Sequence, residues 1–182
     1  AQIDAKGREQ VFESRLGLST LGSNEDRSQL PAFRNARAGR TWFSPVYFRK
    51  ETEPYMAIAV RAGESGPVTM AEVNLKFMWD VITRIRIGQK GKAYVVEGTG
   101  HLIADPDIGL VLRKTDLSGL EQVKAAFAPG ADDSLAMLAK DFAGSSVLTA
   151  YAPIEPGRHK PPQAGPASSL GWKVFVEQPV SE

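Results

Sequence analysis

The sequence predicts an α+β protein of two modules, each an antiparallel sheet with helices to one side. Three observations predict it: a hairpin pattern that occurs twice, a pair of strand-like runs after each copy, and an amphipathic segment between the copies. The hairpin plan is an apolar residue, an acid, turn residues, a Gly and a new apolar run. It reads Ile3-Asp4-Ala5-Lys6-Gly7 before Arg8 to Phe12, and Val96-Glu97-Gly98-Thr99-Gly100 before His101 to Ile103. Gly supplies the positive φ at which the two strands reverse.

The strand-like runs of the first module are Thr41 to Arg49 and Pro54 to Ala62, around the charged turn Arg49 to Glu53. Those of the second are Ser146 to Ile154 and Gly171 to Gln178. Between the modules, Leu75, Met78, Val81, Ile82 and Ile85 recur at helical spacing, so Met70 to Ile87 is expected as a connecting amphipathic helix with Gly88 as its C-cap. A second helix is expected after Asp116 or Ser118 as N-cap, stopping at Pro129-Gly130, and a third over Asp133 to Phe142. Pro153 to Ser169, with five prolines, reads as a surface loop or flap. The expected division is residues 1–69, a connecting helix over 70–88, and residues 89–182.

The first module starts at the turn of its first hairpin, so its partner strand is expected upstream of Ala1, and the chain reads as an excised fragment with an incomplete N-terminal module. Its composition fits a globular chain: 42% of the 182 residues are hydrophobic and 24% charged. Lys plus Arg is 22 against 21 Asp plus Glu, a net charge of +1, without the basic excess that phosphate neutralisation requires. Nucleic acid is therefore not an expected partner. The absence of Cys removes disulfides, thiolate metal sites and Cys nucleophiles, and His101 and His159 are too far apart to form an HxxxH pair. No metal or cofactor is expected. No apolar run approaches the roughly 20 residues that span a bilayer.

Catalytic motifs fail on their spacing. Gly88 to Lys92 has Arg86 and Ala93 where a phosphate loop needs Gly and Ser or Thr, and Gly63-Glu64-Ser65-Gly66 has Pro67 in place of the second Gly of a nucleophile elbow. Asp105-Pro106-Asp107 offers two carboxylates for a hard cation or acid-base work, yet after a strand it reads better as a turn and helix start. The concentration of Arg34, Arg37, Arg40, Trp42, Phe43, Tyr47, Phe48, Arg49 and Tyr55 suggests an aromatic cavity with cationic groups for a small carboxylate. Taken alone, it reads better as an ordinary aromatic core with solvated arginines.

Gly91-Lys92-Ala93-Tyr94-Val95-Val96-Glu97-Gly98-Thr99-Gly100-His101-Leu102-Ile103-Ala104-Asp105-Pro106-Asp107 resembles the G-x-AYVVD-xx-G-x-LIAHPD signature of Cache sensor domains, with Asp105 where His is frequent. The resemblance continues through Leu110 to Arg113, Thr115 to Ser118, Val147 to Ala150 and Gly171 to Pro179. Upstream, Trp42 to Phe48 and Pro54 to Ala59 look like the last strands of a preceding Cache module, so the whole chain is similar to a double Cache sensor.

This resemblance implies a PAS-like fold in both modules, a periplasmic position between two membrane helices, and a cytoplasmic output: a histidine kinase first, then a nucleotide cyclase or chemoreceptor. It implies a homodimer in the full receptor and a small-molecule ligand, an organic acid, amine or neutral metabolite, in the membrane-distal module. The amino-acid-binding version of the family carries Arg-x-Trp-Tyr before its inner helix, a strand Tyr and a linker Asp. Here Tyr47 fits the strand Tyr, Leu30-Pro31-Ala32-Phe33 keeps only the last aromatic, and Asn74 stands where the Asp is expected. With both charged anchors missing, a neutral or differently charged ligand is expected rather than an α-amino acid. The ligand-contacting residues nominated are Phe33, Trp42, Tyr47, Tyr55, Asn74, Tyr94 and Asp105. Two other readings stand beside this one: a structural spacer without ligand, and a soluble enzyme using Asp105, Asp107 and His101.

Overall fold

The computed structural model describes residues 1–15, 17–38, 41–50, 52–133, 136–155 and 170–180. Two compact units result. One holds Ala1–Tyr47 and Tyr55–Asn74; the other holds Phe48–Pro54, Leu75–Glu155 and the closing strand.

The first sheet takes strands β1 (Gln2–Ile3), β2 (Glu9–Phe12) and β3 (Thr20–Leu21), which precede helix α1 (Pro31–Arg37), and then β4 (Trp42–Phe43), β5 (Tyr47–Arg49), β6 (Glu53–Arg61) and β7 (Val68–Asn74). They form one sheet in the order β3-β2-β1-β7-β6-β4, with β5 also paired to β6. Pro31 starts α1, where its missing N–H costs nothing. The helix buries Ala32, Phe33 and Ala36 against Ile3, Ala59 and Val68 of the sheet. At its other end, Arg61 Nη1 donates to the Arg37 carbonyl at 2.6 Å and so ties the last turn of α1 to β6.

The second unit contains α2 (Lys76–Ile82), β8 (Lys92–Glu97), β9 (Leu102–Ala104), α3 (Ile108–Leu112), α4 (Glu121–Phe127), β10 (Ala136–Lys140), β11 (Ser146–Ile154) and β12 (Trp172–Pro179). Its sheet runs β10-β11-β12-β8-β9, every pairing antiparallel. Tyr94, Phe175 and Tyr151 form the centre of its core: Tyr94 stacks on Phe175 at 5.2 Å between centroids, and Tyr151 meets the same ring at 5.6 Å. Val111, Leu117, Val123 and Ala126 close over them.

The two sheets repeat one strand order. β2-β1-β7-β6-β4 of the first corresponds to β9-β8-β12-β11-β10 of the second. The hairpins match bond for bond: Gly7 N–H donates to the Asp4 carbonyl at 3.1 Å and Gly100 N–H to that of Glu97 at 2.8 Å. Each is anchored by an Asp-x-Ser turn, in which Ser28 N–H donates to Asp26 and Ser118 N–H to Asp116. Two residues after each Ser stands a Leu, Leu30 or Leu120, in extended conformation at the helix start.

The expected elements differ from the observed ones in several places. The hairpin of the first unit has its partner strand within the chain, since Gln2–Ile3 pairs with both β2 and β7. The expected helix from Met70 to Ile87 is strand to Asn74 and helix only over Lys76–Ile82. Burial alternates over Val68 to Ala71, and seven consecutive cross-strand pairs with β6 outweigh the helical spacing that begins at Leu75. Val81 and Ile85, expected to face a core, are exposed, whereas Leu75 and Ile82 are buried.

Residues 136–140, within the third expected helix, are strand β10, because pairing with β11 overrides the helix propensity of Ala, Met, Leu and Lys. Thr41 to Arg49 is two short strands, so side-chain alternation does not carry across Ser44 to Val46. The N-cap residue of α4 is Leu120, with the Asp116 turn one step upstream, and the expected division at residue 69 falls inside β7. The expected flap lies, from residue 156 on, outside the described residues.

Candidate functional site

Alternation along β6 and β7 decides which side chains share the inner face of the first sheet. The register pairs Arg61 with Val68, Ala59 with Met70, Ala57 with Glu72 and Tyr55 with Asn74. Val68 and Ala59 belong to the core beneath α1, so Met70, Glu72 and Asn74 continue that face of β7, and Ala57 and Tyr55 that of β6. One helix covers one end of this face. The other end carries two aromatic rings, a carboxylate and an amide.

There Tyr47 of β5 stacks with Tyr55 at 6.3 Å between centroids and 25° between planes. The Tyr47 hydroxyl donates to Glu72 Oε1 at 2.5 Å, a short charge-assisted bond. Tyr55 is buried, Asn74 and Tyr47 are half-buried, and Glu72 is exposed. Trp42 of β4 packs against the core cluster, and Phe33 is part of that cluster at 7% exposure. Ser44, after β4, fixes this edge: its hydroxyl accepts from Ala57 N–H at 2.8 Å. The arrangement is an aromatic wall beside an anionic acceptor, a chemistry suited to holding an ammonium group.

Of the nominated residues, Phe33, Trp42, Tyr47, Tyr55 and Asn74 lie in the first unit and Tyr94 and Asp105 in the second. Tyr94 is a core residue whose hydroxyl donates to buried Glu177 at 2.6 Å, while Gln122 Nε2 donates to the same oxygen at 3.1 Å. Burial, and then the Glu177 charge, push the Tyr94 phenol far above its usual range. Asp105 is 2% exposed; Lys92 pairs with its Oδ2 at 2.8 Å, and Oδ1 accepts the Asp107 N–H at 2.8 Å.

The residues of the enzyme reading serve local structure. Asp107 is the N-cap of α3, accepting from Gly109 N–H at 2.8 Å, and His101 Nδ1 lies 2.9 Å from the Thr99 hydroxyl. Among the described residues, no three His, Asp or Glu side chains gather as a metal site.

Glu72 is not among the nominated residues. The spacing Val68, Met70, Glu72, Asn74 puts the acid on the same face of a strand as Asn74, and expecting a helix from Met70 hides that relation.

The family model of the Cache domain matches residues 2–182. The chain belongs to the Cache domain family. Among the solved structures similar to this Cache chain are sensor domains of two kinds. The extracellular domain of a candidate histidine kinase, mmHK1S-Z2, matches at 17% identity and TM-score 0.64, covering 91% of this chain and 60% of that one. The ligand-binding domain of the Pseudomonas aeruginosa amino acid chemoreceptor PctC, solved with GABA, matches at 18% identity and TM-score 0.56, covering 92% and 71%. That of the Pseudomonas fluorescens chemoreceptor CtaA, solved with L-isoleucine, matches at 17% and 0.59, covering 99% and 68%. The Cache chain thus spans about three fifths to seven tenths of the length of these neighbours, and at these identities the likeness concerns the fold. No curated protein matches the sequence. Among the described residues, no helix is long and apolar enough to cross a membrane.

Proposed function

We propose that this Cache chain is the extracytoplasmic sensing part of a transmembrane signalling receptor, a double Cache sensor whose first unit binds a small organic amine. The Tyr47–Glu72 hydrogen bond beside Tyr55 carries the reading. It supplies an acceptor for an ammonium group on an aromatic wall, at the end of the inner sheet face away from the Arg61–Arg37 tie. The double-module reading draws support from the repeated strand order and the matching Asp-x-Ser anchors.

GABA and L-isoleucine, the ligands in two of the neighbours, both carry an ammonium group. Leu30, at the start of α1, brings no cation for an α-carboxylate, so the amine is the group this site selects. Binding in such a site changes the output only by the difference in its affinity for two conformations of the receptor. The output is a cytoplasmic histidine kinase, nucleotide cyclase or chemotaxis module, reached through membrane helices, in a homodimer.

A thermal-shift panel of GABA, putrescine and L-arginine, with succinate and glycerol as non-amine controls, tests the binding step. At 100 times its dissociation constant an amine adds about 2.7 kcal/mol to stability. Stabilisation by succinate alone overturns the amine reading, and a flat response across the panel favours the spacer. In the full receptor, an amine that binds tightly and leaves the output unchanged disproves sensing at this site.

A further inference from the structure

In the second sheet, β12 runs antiparallel to both of its neighbours, so its last residues lie level with the start of β11 and the start of β8. One end of the sheet therefore brings together the β10–β11 hairpin tip, the end of β12 at Val180 and the turn before β8. The Val180 N–H, which donates to the Ser146 carbonyl at 3.1 Å, and the bridge between Ile87 and Gly91 mark that level.

The hairpin tip reads Asp141-Phe142-Ala143-Gly144-Ser145. Its frame is tied down: Asp141 N–H donates to the Ser145 carbonyl at 2.9 Å, Gly144 N–H to the Asp141 carbonyl at 3.0 Å, and Ser145 N–H to Asp141 Oδ1 at 2.8 Å. Gly144 supplies the φ of +88° that the reversal needs. These bonds ask for the Asp and the Gly but nothing of the two residues between them, and exposed turn positions are ordinarily polar. Here they are Phe and Ala. Phe142 is 57% exposed and Val180 54%, and neither is part of the core around Phe175.

Charge narrows the kind of partner. Lys140, whose Nζ donates to the Gly144 carbonyl at 3.4 Å, is an exposed cation beside the tip, and Arg86 and Lys90 are exposed at the turn before β8. The acids of the tip and of β12 are drawn inward: Asp141 accepts from Ser145, and Glu177 is buried. A narrow convex tip offers no groove to a folded partner. An apolar point among cations matches a bilayer surface, where one ring enters the headgroup layer and the cations meet phosphates.

We propose that this end of the second sheet rests on a lipid bilayer, with the Phe142 ring inserted in the headgroup layer and Lys140, Arg86 and Lys90 on anionic phosphates. Only side chains enter, because a turn cannot leave its backbone polar groups unpaired in hydrocarbon. The inference goes beyond the amine site and rests on the receptor reading only for the presence of a bilayer beside this unit.

The test uses the 182-residue chain, which has no Cys, so Ala143→Cys gives a single attachment point for the environment-sensitive dye NBD at the tip. The vesicles are equimolar phosphatidylcholine and phosphatidylglycerol, or phosphatidylcholine alone, in low salt. With the mixed vesicles the tip dye is expected to shift to the blue and brighten. A dye attached through Leu21→Cys, at a residue 84% exposed in the first sheet, is expected to stay unchanged. In the tip-labelled chain, Phe142→Asp weakens vesicle binding about tenfold or more, and Lys140→Gln about fivefold. Both side chains are exposed, so the melting temperature of each variant should match that of the parent. No shift of the tip dye at millimolar lipid, or an equal shift at Leu21, overturns the surface. Equal binding of Phe142→Asp overturns the insertion, and equal binding to phosphatidylcholine alone overturns the phosphate contacts. A tip signal that grows with protein concentration in the absence of vesicles assigns the tip to a protein contact and overturns the bilayer. Amine stabilisation in the thermal panel together with no vesicle binding removes this surface and leaves the sensing reading in place.

Discussion

A Cβ placed on Gly100 would lie 2.5 Å from the Cβ of Ser118 and 2.9 Å from its Cα. Gly100 also holds φ +92°, a conformation that L side chains rarely adopt. Gly100→Ala therefore combines backbone strain with an overlap that no rotamer relieves, and a loss of about 2–4 kcal/mol is expected in urea denaturation. Gly130→Ala is the control: φ is +75°, but nothing lies within 4 Å, so strain alone acts and the loss stays near about 1 kcal/mol. Equal losses in the two variants would show that the contact with Ser118 carries no weight. Gly7 meets Ser28 at the same 2.5 Å, so Gly7→Ala should behave like Gly100→Ala.

Tyr94→Phe tests the buried network of the second unit. It removes the 2.6 Å bond to Glu177, which is 4% exposed, and leaves Gln122 Nε2 as that carboxylate's remaining donor from this network. A cost of about 1.5–3 kcal/mol follows for a hydrogen bond to a charged group. Because burial raises the folded-state Tyr94 pKa above its unfolded value, the stability tied to this group is complete below pH ~10 and declines above it. Phenolate absorbance should show one of the four tyrosines ionising only as the chain unfolds. The variant should lose that unfolding-coupled step; its persistence in Tyr94→Phe would assign it to another tyrosine.

How far the sequence was legible follows the range of the interactions. The hairpins at Gly7 and Gly100 were readable because a Gly at a strand reversal answers a local steric demand. Strands Ser146–Ile154 and Trp172–Pro179 were readable because turn residues and apolar runs bound them. Ala136–Lys140 was not, since its residues favour helix and only the partner strand makes it extended. The helix expected from Met70 hid Glu72, which the two-residue spacing from Val68 puts on one strand face with Asn74. The position of Tyr47 against Glu72 depends on β5 and β7 both reaching β6, a relation 25 residues apart in sequence.

The paired Asp-x-Ser turns make stability sensitive to acid. Backbone and side-chain hydrogen bonds from Ser118 hold the Asp116 carboxyl below its usual range, and those from Ser28 do the same for Asp26. A depressed folded-state pKa gives stability that is present above the unfolded value of about 3.9 and lost as pH falls through the folded one. Asp26→Asn and Asp116→Asn should therefore flatten the melting temperature profile below pH ~4, and the double variant more than either. Parallel acid profiles for wild type and double variant would place the acid sensitivity elsewhere.

Glu72→Gln and Tyr47→Phe divide the amine site into charge and positioning. Glu72→Gln keeps the shape and an oxygen for the Tyr47 hydroxyl but removes the negative charge from the sheet face. The group is exposed, so folding stability should change by less than about 0.5 kcal/mol, whereas affinity for the stabilising amine should fall about tenfold or more. Tyr47→Phe keeps the ring beside Tyr55 and loses the hydroxyl that orients the carboxylate, so a smaller decline of about three- to tenfold is expected. Isothermal titration with the amine identified in the thermal panel measures both. If the order holds, the Glu72 charge contributes more to binding than its orientation by Tyr47; if Tyr47→Phe costs more than Glu72→Gln, the ligand is held by the aromatic wall and the hydroxyl, and a neutral molecule becomes the better reading of the site.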